Sequence, residues 1–310
     1  MPLAPLTDPP SRVERLRRLS VGLPLATFLG SALMACNVVQ TASLAVKPLS
    51  RHAFRRINRE TADTWWGLCV TAAERLHDTR IIVTGDHVPP LENAVIVANH
   101  QQMPDITLLM QFARTKGRLG DLKWFVKKAL KYVPGVGWGM VFLDCLFVER
   151  RWTDDQEAIT RTFARIVNDR VPLWLVSFVE GTRVSPEKLA AAQAFARERG
   201  LTPPAHVLIP RTKGFVASVQ GLRSHIDAVY DVTIGYEEGV PSLWQYVQGL
   251  VTRGHLHVRR YPVAELPEDP QDLATWLLDR FREKDALLAH YYQHGAFPTG
   301  PGANSERRPG

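Results

Sequence analysis

The chain has 310 residues, 45% of them apolar and 22% charged, which excludes a disordered or fibrous protein and leaves ample length for a packed core. Its 38 basic against 31 acidic residues give a formal charge of +7 and a pI near 9.5, so an anionic partner is expected: nucleic acid, a membrane surface or a phosphorylated substrate. Cys36, Cys69 and Cys145 lie far apart with no CxxC pair, which argues against a disulfide framework or a zinc site.

Residues 20–46 carry no charge, and as a helix they would reach ~40 Å, longer than the ~30 Å core of a bilayer. No small-residue cleavage site follows a short apolar core, so the segment is read as retained. Arginines precede it (Arg12, Arg15, Arg17, Arg18), and Lys47, Arg51, Arg55, Arg56 and Arg59 follow it. With both flanks basic, both ends look cytoplasmic, which favours a helix dipping into one leaflet or lying in the interface over a clean span. Asn37, Gln40, Thr41 and Ser43 make its second half unusually polar, and a buried core helix is the plainer alternative. Anionic lipid explains the flanking basic runs more simply than nucleic acid does.

Residues 61–76, with Trp65, Trp66, Cys69, Ala72 and Ala73 on one face, predict a second, amphipathic helix. Strands are expected at 80–84 and 94–98, separated by Gly85 and the Pro89-Pro90 pair, and then a helix over 106–113. The apolar run 141–148 reads as a buried strand, 157–167 as a helix, 173–179 as a buried strand and 187–199 as a helix ended by Gly200. Strands follow at 207–209, 228–234 and 255–261. Asp269-Pro270 with Asp272 marks the start of a helix running to about Tyr292. The pattern predicts an α/β fold with a mixed central sheet flanked by helices, residues 79–297, preceded by a two-helix membrane-binding module, residues 1–78. Residues 298–310, rich in Pro and Gly, read as a disordered tail.

The sharpest chemical signal is ANHQQMPDITLL, residues 98–109. Pro104 disfavours helix at Met103 and is itself a good first helical residue, so His100 falls in a loop after a strand and Asp105 in the first turn of a helix. A loop turning at residues 101–103 can fold the Asp105 carboxylate against one imidazole nitrogen. That pairing fixes the tautomer, stabilises the imidazolium and leaves the second nitrogen to accept a proton. No G-x-S-x-G elbow or cysteine partner accompanies it, so the hydroxyl to be activated belongs to the substrate. H-x4-D alone is a weak pattern, since a helix-capping Asp beside a structural His is common. Its company is more telling. FVER ends an apolar run on Arg150, FVEGTR presents Glu180, Gly181, Thr182 and Arg183 after a buried strand, and VLIPRTKGF presents Pro210, Arg211 and Lys213. Three strand ends carrying Arg or Lys suggest a basic pocket at one sheet edge, suited to a phosphate. The pairs His255/His257 and His290/His294 have metal-binding spacing but no nearby carboxylate or cysteine cluster, so surface or packing roles are expected. GVGWGM lacks the spacing of a dinucleotide fingerprint.

These blocks resemble those of the glycerolipid acyltransferases: NHxxxxD at Asn99, His100 and Asp105, the apolar run ending at Arg150, EGTR at 180–183, and a strand followed by Pro210. GWGMVFLDCLFVERRW, PRTKGF and the stretch from ELPEDPQD to HGAFP resemble the branch that holds the lysocardiolipin and larger lysophosphatidate acyltransferases. The resemblance runs from about residue 28 to 298. It implies His100 as general base and Asp105 as its orienting partner. Arg150, Glu180 and Arg183 would hold a glycerol phosphate head, with Gly181 and Thr182 in the same loop and Gly181 permitting close backbone approach. Pro210 and Arg211 would shape the acyl-donor side. The implied reaction moves a fatty acyl group from acyl-CoA or acyl-carrier protein to the free sn-2 hydroxyl of lysophosphatidate, with no metal or other cofactor, because the thioester is already activated. The implied setting is a membrane, with the catalytic domain on its cytoplasmic face. Some eukaryotic members of that branch carry a second apolar span near the C-terminus and this chain shows none, so a compact bacterial form at the inner membrane is expected rather than one of the endoplasmic reticulum. Another lysophospholipid as acceptor, or an inactive lipid-binding relative, stay open as alternatives.

Overall fold

A computed structural model describes residues 5–9, 11–149 and 152–298. Arg150 and the segment 299–310 that covers almost all of the expected tail lie outside the described residues. The helices are α1 (Arg12–Ala42), α2 (Arg51–His77), α3 (Pro104–Thr115), α4 (Val136–Phe142), α5 (Trp152–Asn168), α6 (Pro186–Glu198), α7 (Thr212–Leu222), α8 (Leu243–Val247) and α9 (Pro270–His294). The strands are β1 (Arg80–Gly85), β2 (Ala94–Ala98), β3 (Leu122–Lys127), β4 (Leu146–Val148), β5 (Trp174–Ser177), β6 (Ala228–Tyr236) and β7 (Arg253–Pro262).

The strands form one sheet in the order β1-β7-β6-β2-β5-β3-β4, parallel throughout except for the antiparallel β6–β7 pair. This is the mixed sheet the sequence predicts. β2 is buried along its whole length, and its alternation splits the apolar interior in two. Ala94, Ile96 and Ala98 face a cluster that includes Trp66 and Val70 of α2 and Leu108 and Phe112 of α3. Val95 and Val97 face the other cluster, filled from α5, α7 and α9. So α2 roofs the sheet and shares its core, with no separate core of its own.

β2, β5 and β6 run parallel, so their carboxyl ends open at the same edge of the sheet, the usual place for a ligand crevice in such folds. α3 starts there with Pro104 in its first turn, and α9 starts as read, with Asp269 accepting from the Gln271 and Asp272 amides.

Three expectations are corrected. The run 141–148 is no continuous strand: α4 ends at Phe142, Asp144 turns the chain with φ 57°, and only Leu146–Val148 pairs with β3. Short apolar runs do not distinguish helix from strand by periodicity. Residues 207–209 join no strand either, because the amides of Val207 and Leu208 are already taken by the carboxylates of Asp285 and Glu180. The second helix begins at Arg51, ten residues early, because Ser50 caps it by accepting from the Ala53 amide. The basic run 51–59 is therefore helical, and part of it serves the protein: Arg55 pairs with Asp169, and Arg59 lies 2.7 Å from Asp121.

α1 reverses the usual burial pattern. Val13, Leu16, Leu23, Phe28 and Val38 are more than half exposed, whereas Gly22, Asn37 and Gln40 are buried. Asn37 donates to Gln40 at 3.0 Å, and Asn58 of α2 donates to Ser43 at 2.9 Å. Of the polar residues that make α1 look unlike a membrane helix, Asn37, Gln40 and Ser43 turn inward, toward α2 and α4, while Thr41 is exposed and donates to the Asn37 carbonyl at 2.8 Å. By length and composition α1 could cross a membrane.

Candidate active site

The site is assembled where β2, β5 and β6 end. After Ala98 the backbone leaves the β2–β6 ladder, and the Asn99 amide continues it, donating to the Ile234 carbonyl at 3.1 Å and accepting from the Ile234 amide at 2.8 Å. That clamp fixes where the next residue, His100, begins its loop. Gln101 adds a bond to the same carbonyl at 2.6 Å.

The loop folds back as the spacing predicts. His100 Nδ1 lies 2.9 Å from Asp105 Oδ2, and the same oxygen accepts from the amides of Gln101 at 2.7 Å and Gln102 at 2.9 Å. Asp105 Oδ1 accepts from the Tyr236 hydroxyl at 2.6 Å. The carboxylate is fully buried and meets four donors, an arrangement that offsets its burial and makes Nδ1 the protonated nitrogen of the imidazole. Burial, then the neighbouring Asp105 charge, holds the Tyr236 phenol well above its ordinary value, so it remains a donor. The imidazole stacks on Phe178, with ring centres 4.0 Å apart, and lines the cavity. Its Nε2 is thus left to meet a substrate.

Glu180 stands differently from the substrate contact that the resemblance implies. It is 3% exposed, and its two oxygens accept the backbone amides of His100 and Leu208, both at 3.2 Å. It ties the β2–α3 loop to the loop after β5 and to the segment before Pro210. Burial pushes its carboxyl up to about 8, against the lowering effect of those amides and of Lys284. Gly181 has φ +72°, and a Cβ there would lie 3.0 Å from Arg211 Nε. Glycine therefore serves both the backbone turn and the close approach of Arg211. Thr182 accepts from Lys188 at 2.6 Å, and Arg183 donates to the Gln102 side chain beside the dyad.

A cavity of about 1160 Å³ joins these groups. His100, Gly181, Thr182, Arg183, Pro210 and Arg211 all line it, together with Lys127 and Lys213. Its other walls are mostly apolar and reach Leu25 and Leu29 of α1 and Trp65, Trp66 and Cys69 of α2. One cavity thus has a basic end beside the dyad and a long apolar extension under α1. His257 sits 3.0 Å from Thr84 Oγ1 and His255 packs on Tyr291, the packing roles expected of them.

A family model described as Acyltransferase matches residues 80–237, and another, Acyltransferase C-terminus, matches 245–310. The chain belongs to the acyltransferase family. It is 36% identical to probable 1-acyl-sn-glycerol-3-phosphate acyltransferase 5 of Arabidopsis thaliana over 76% of its own length and 63% of that protein's. It is 33% identical to 1-acyl-sn-glycerol-3-phosphate acyltransferase 2 of Brassica oleracea, over 93% of this chain and 75% of that one. Identity to 1-acyl-sn-glycerol-3-phosphate acyltransferase gamma of Homo sapiens is 34%, over 89% and 74%. In fold, this acyltransferase resembles the crystal structure of the 1-acyl-sn-glycerophosphate acyltransferase PlsC of Thermotoga maritima, with a TM-score of 0.55 at 16% identity, covering 89% of this chain and 98% of that one.

Tyr236, which fixes Asp105, and Gln102, which holds Arg183, carry no sequence signal of their own, and Phe178, which supports His100, is visible only as the first residue of the FVEGTR block. Each acts through contacts between segments, Tyr236 from 131 residues away.

Proposed function

We propose that this acyltransferase moves a fatty acyl group from a thioester, acyl-CoA or acyl-carrier protein, to the free sn-2 hydroxyl of lysophosphatidate, giving phosphatidate at the cytoplasmic face of a bacterial inner membrane. The observation that carries the reading is His100, paired with the buried Asp105, lining a cavity that is basic beside the dyad and apolar beyond it. The names of the relatives support the acceptor. His100 Nε2 takes the acceptor's hydroxyl proton as its oxygen attacks the thioester carbonyl, and Asp105 holds the imidazolium that forms. The tetrahedral intermediate collapses by breaking the C–S bond, and the leaving thiolate takes the proton back. Arg183, Arg150 and Thr182 hold the phosphate, Arg211 and Pro210 border the donor side, and the acyl chain lies along the apolar walls toward α1 and α2. The reaction needs no metal or further cofactor, because the thioester is activated and no phosphoryl group moves. α1 rests on anionic lipid, so a two-tailed product leaves directly into the leaflet.

The test is release of CoA from acyl-CoA by the purified protein in detergent, with lysophosphatidate as acceptor, beside His100→Ala. We expect release only with acceptor present and a loss on the order of 10²–10⁴ in the variant. Release with a different lysophospholipid but none with lysophosphatidate would move the acceptor and leave the dyad. Silence with every acceptor and donor would leave a lipid-binding protein.

A further inference from the structure

Outside α1, a second stretch exposes large apolar side chains. Between β3 and the end of the first turn of α4, residues 127–138 read KKALKYVPGVGW. Tyr132 is 74% exposed, Val133 44%, Trp138 43%, Val136 39% and Leu130 36%, all within nine residues. Scattered exposed apolar residues are ordinary, but a contiguous set this dense marks an interaction surface.

The stretch has a built shape. The chain folds back so tightly that a Cβ on Gly137 would lie 1.7 Å from the Leu130 carbonyl oxygen, and Gly135 takes φ +80°. It also abuts α1: a Cβ on Gly135 would lie 2.9 Å from Leu33, and one on Gly139 3.5 Å from Gln40. Its exposed face therefore continues the outer face of α1, where Met34 and Val38 are exposed. Leu130, Val133 and Val136 line the cavity as well, so the same residues form its rim.

The charge on this stretch selects the partner. Lys127, Lys128 and Lys131 are exposed beside the apolar residues, with Lys128 held by Glu149 at 2.8 Å. Cations alternating with Tyr, Trp and Val match the boundary between anionic headgroups and acyl chains, where each of these residue types is favourable. We infer that residues 127–138 form a second membrane-inserted element, with Tyr132, Val133 and Trp138 entering an anionic leaflet and Lys131 on its headgroups, so that the cavity opens into the bilayer between this element and α1. The inference rests on the reading of α1 as membrane-facing and adds a second anchor that fixes the tilt of the protein on the surface. It does not depend on which acceptor is used.

Single cysteines carrying an environment-sensitive fluorophore test it in the full chain, in a Cys36→Ser, Cys69→Ala background. The sites are Val133→Cys on the element, Phe28→Cys on α1 and Glu198→Cys at the exposed end of α6. Vesicles of phosphatidylglycerol with phosphatidylcholine should blue-shift the probes at 133 and 28 and leave 198 unchanged, and lipids brominated on the acyl chain should quench the first two. Lys131→Gln should lower affinity for these vesicles about fivefold, the worth of one lysine near an anionic surface, and change binding to pure phosphatidylcholine little. A silent probe at 133 beside a responsive probe at 28 would overturn the inference and leave α1 on the membrane. Silence at both would remove both. A blue shift at 133 that follows protein concentration without vesicles would mean that a second copy of the chain covers the element, and would also overturn it.

Discussion

Around His100 the molecule buries ionisable groups and partners them, whereas along α1 it exposes apolar side chains and turns its amides inward. Asp105, Glu180 and the Asp231–Lys284 pair are all at most 3% exposed, and each is met by donors, acceptors or an opposite charge from a different segment. On α1 the buried positions are Gly22, Asn37 and Gln40, and the exposed ones include Leu16, Leu23, Phe28 and Val38. The contrast follows from two solvents. Buried polar groups are tolerated only when fully partnered, and an apolar surface is stable only against an apolar medium. The first region suits water outside and chemistry inside; under the proposed function the second suits lipid outside.

The largest effects should come from breaking the paired region. Asp105→Asn keeps the shape but replaces an acceptor-only group, which meets four donors, with one that must itself donate. The imidazole then loses its preferred tautomer, and we expect kcat to fall on the order of 10²–10⁴ with circular dichroism unchanged. A fall below about tenfold would mean that Asp105 does not orient the base. Lys284→Met removes an ammonium that lies 2.6 Å from Asp231 and donates to Thr233 at 3.2 Å, all of it buried. Stranding the Asp231 charge should cost about 3–5 kcal/mol in denaturant unfolding, and adding Asp231→Asn should restore much of it.

Glu180 gives a smaller effect, confined to a pH window. Its folded carboxyl is raised to about 8 by burial, above its ordinary 4.5, so the folded state holds the proton more tightly than the unfolded chain. The stability it contributes is fully present below about 4.5 and is lost as pH rises through 8. Wild type minus Glu180→Gln should therefore show a declining unfolding free energy between those limits. A flat difference would mean that Glu180 is ionised throughout.

The same division decides what the sequence reveals. β2, β5, α3 and α9 are legible because local rules suffice: full apolar runs, Pro104 at a first turn, and Asp269-Pro270 at another. The dyad is legible because His100 and Asp105 are close in sequence and share one loop. The other partners of the site are not. Tyr236 falls two residues beyond the strand read at 228–234 until the sheet brings it to Asp105, and Glu180 reads as a ligand until its oxygens are seen to accept from two backbone amides. Residues 207–209 have strand composition, yet the hydrogen bonds of Val207 and Leu208 are taken by side chains 78 and 28 residues away. β3 goes unread because Lys123, Lys127 and Lys128 mask it, although Lys123 is buried and donates to the Leu143 carbonyl at 2.9 Å. α7 goes unread because Gly214 and Gly221 punctuate it.

The inversion on α1 makes a paired prediction that no ordinary amphipathic helix would share. Gln40→Leu makes an apolar helix more apolar, yet Gln40 is 3% exposed and accepts from Asn37 at 3.0 Å, so the change leaves a buried amide N–H without its acceptor. It should destabilise the detergent-solubilised protein by about 1–3 kcal/mol. Phe28→Asp puts a charge into the most uniformly apolar part of the chain, yet Phe28 is 56% exposed. Its effect on stability in detergent should stay within about 0.5 kcal/mol, while its binding to anionic vesicles should weaken sharply. Measuring both variants by denaturant unfolding and by vesicle flotation separates packing from solvent. If Phe28→Asp unfolds the protein and Gln40→Leu does not, the outer face of α1 is packed against protein, and the lipid-facing half of the comparison is wrong.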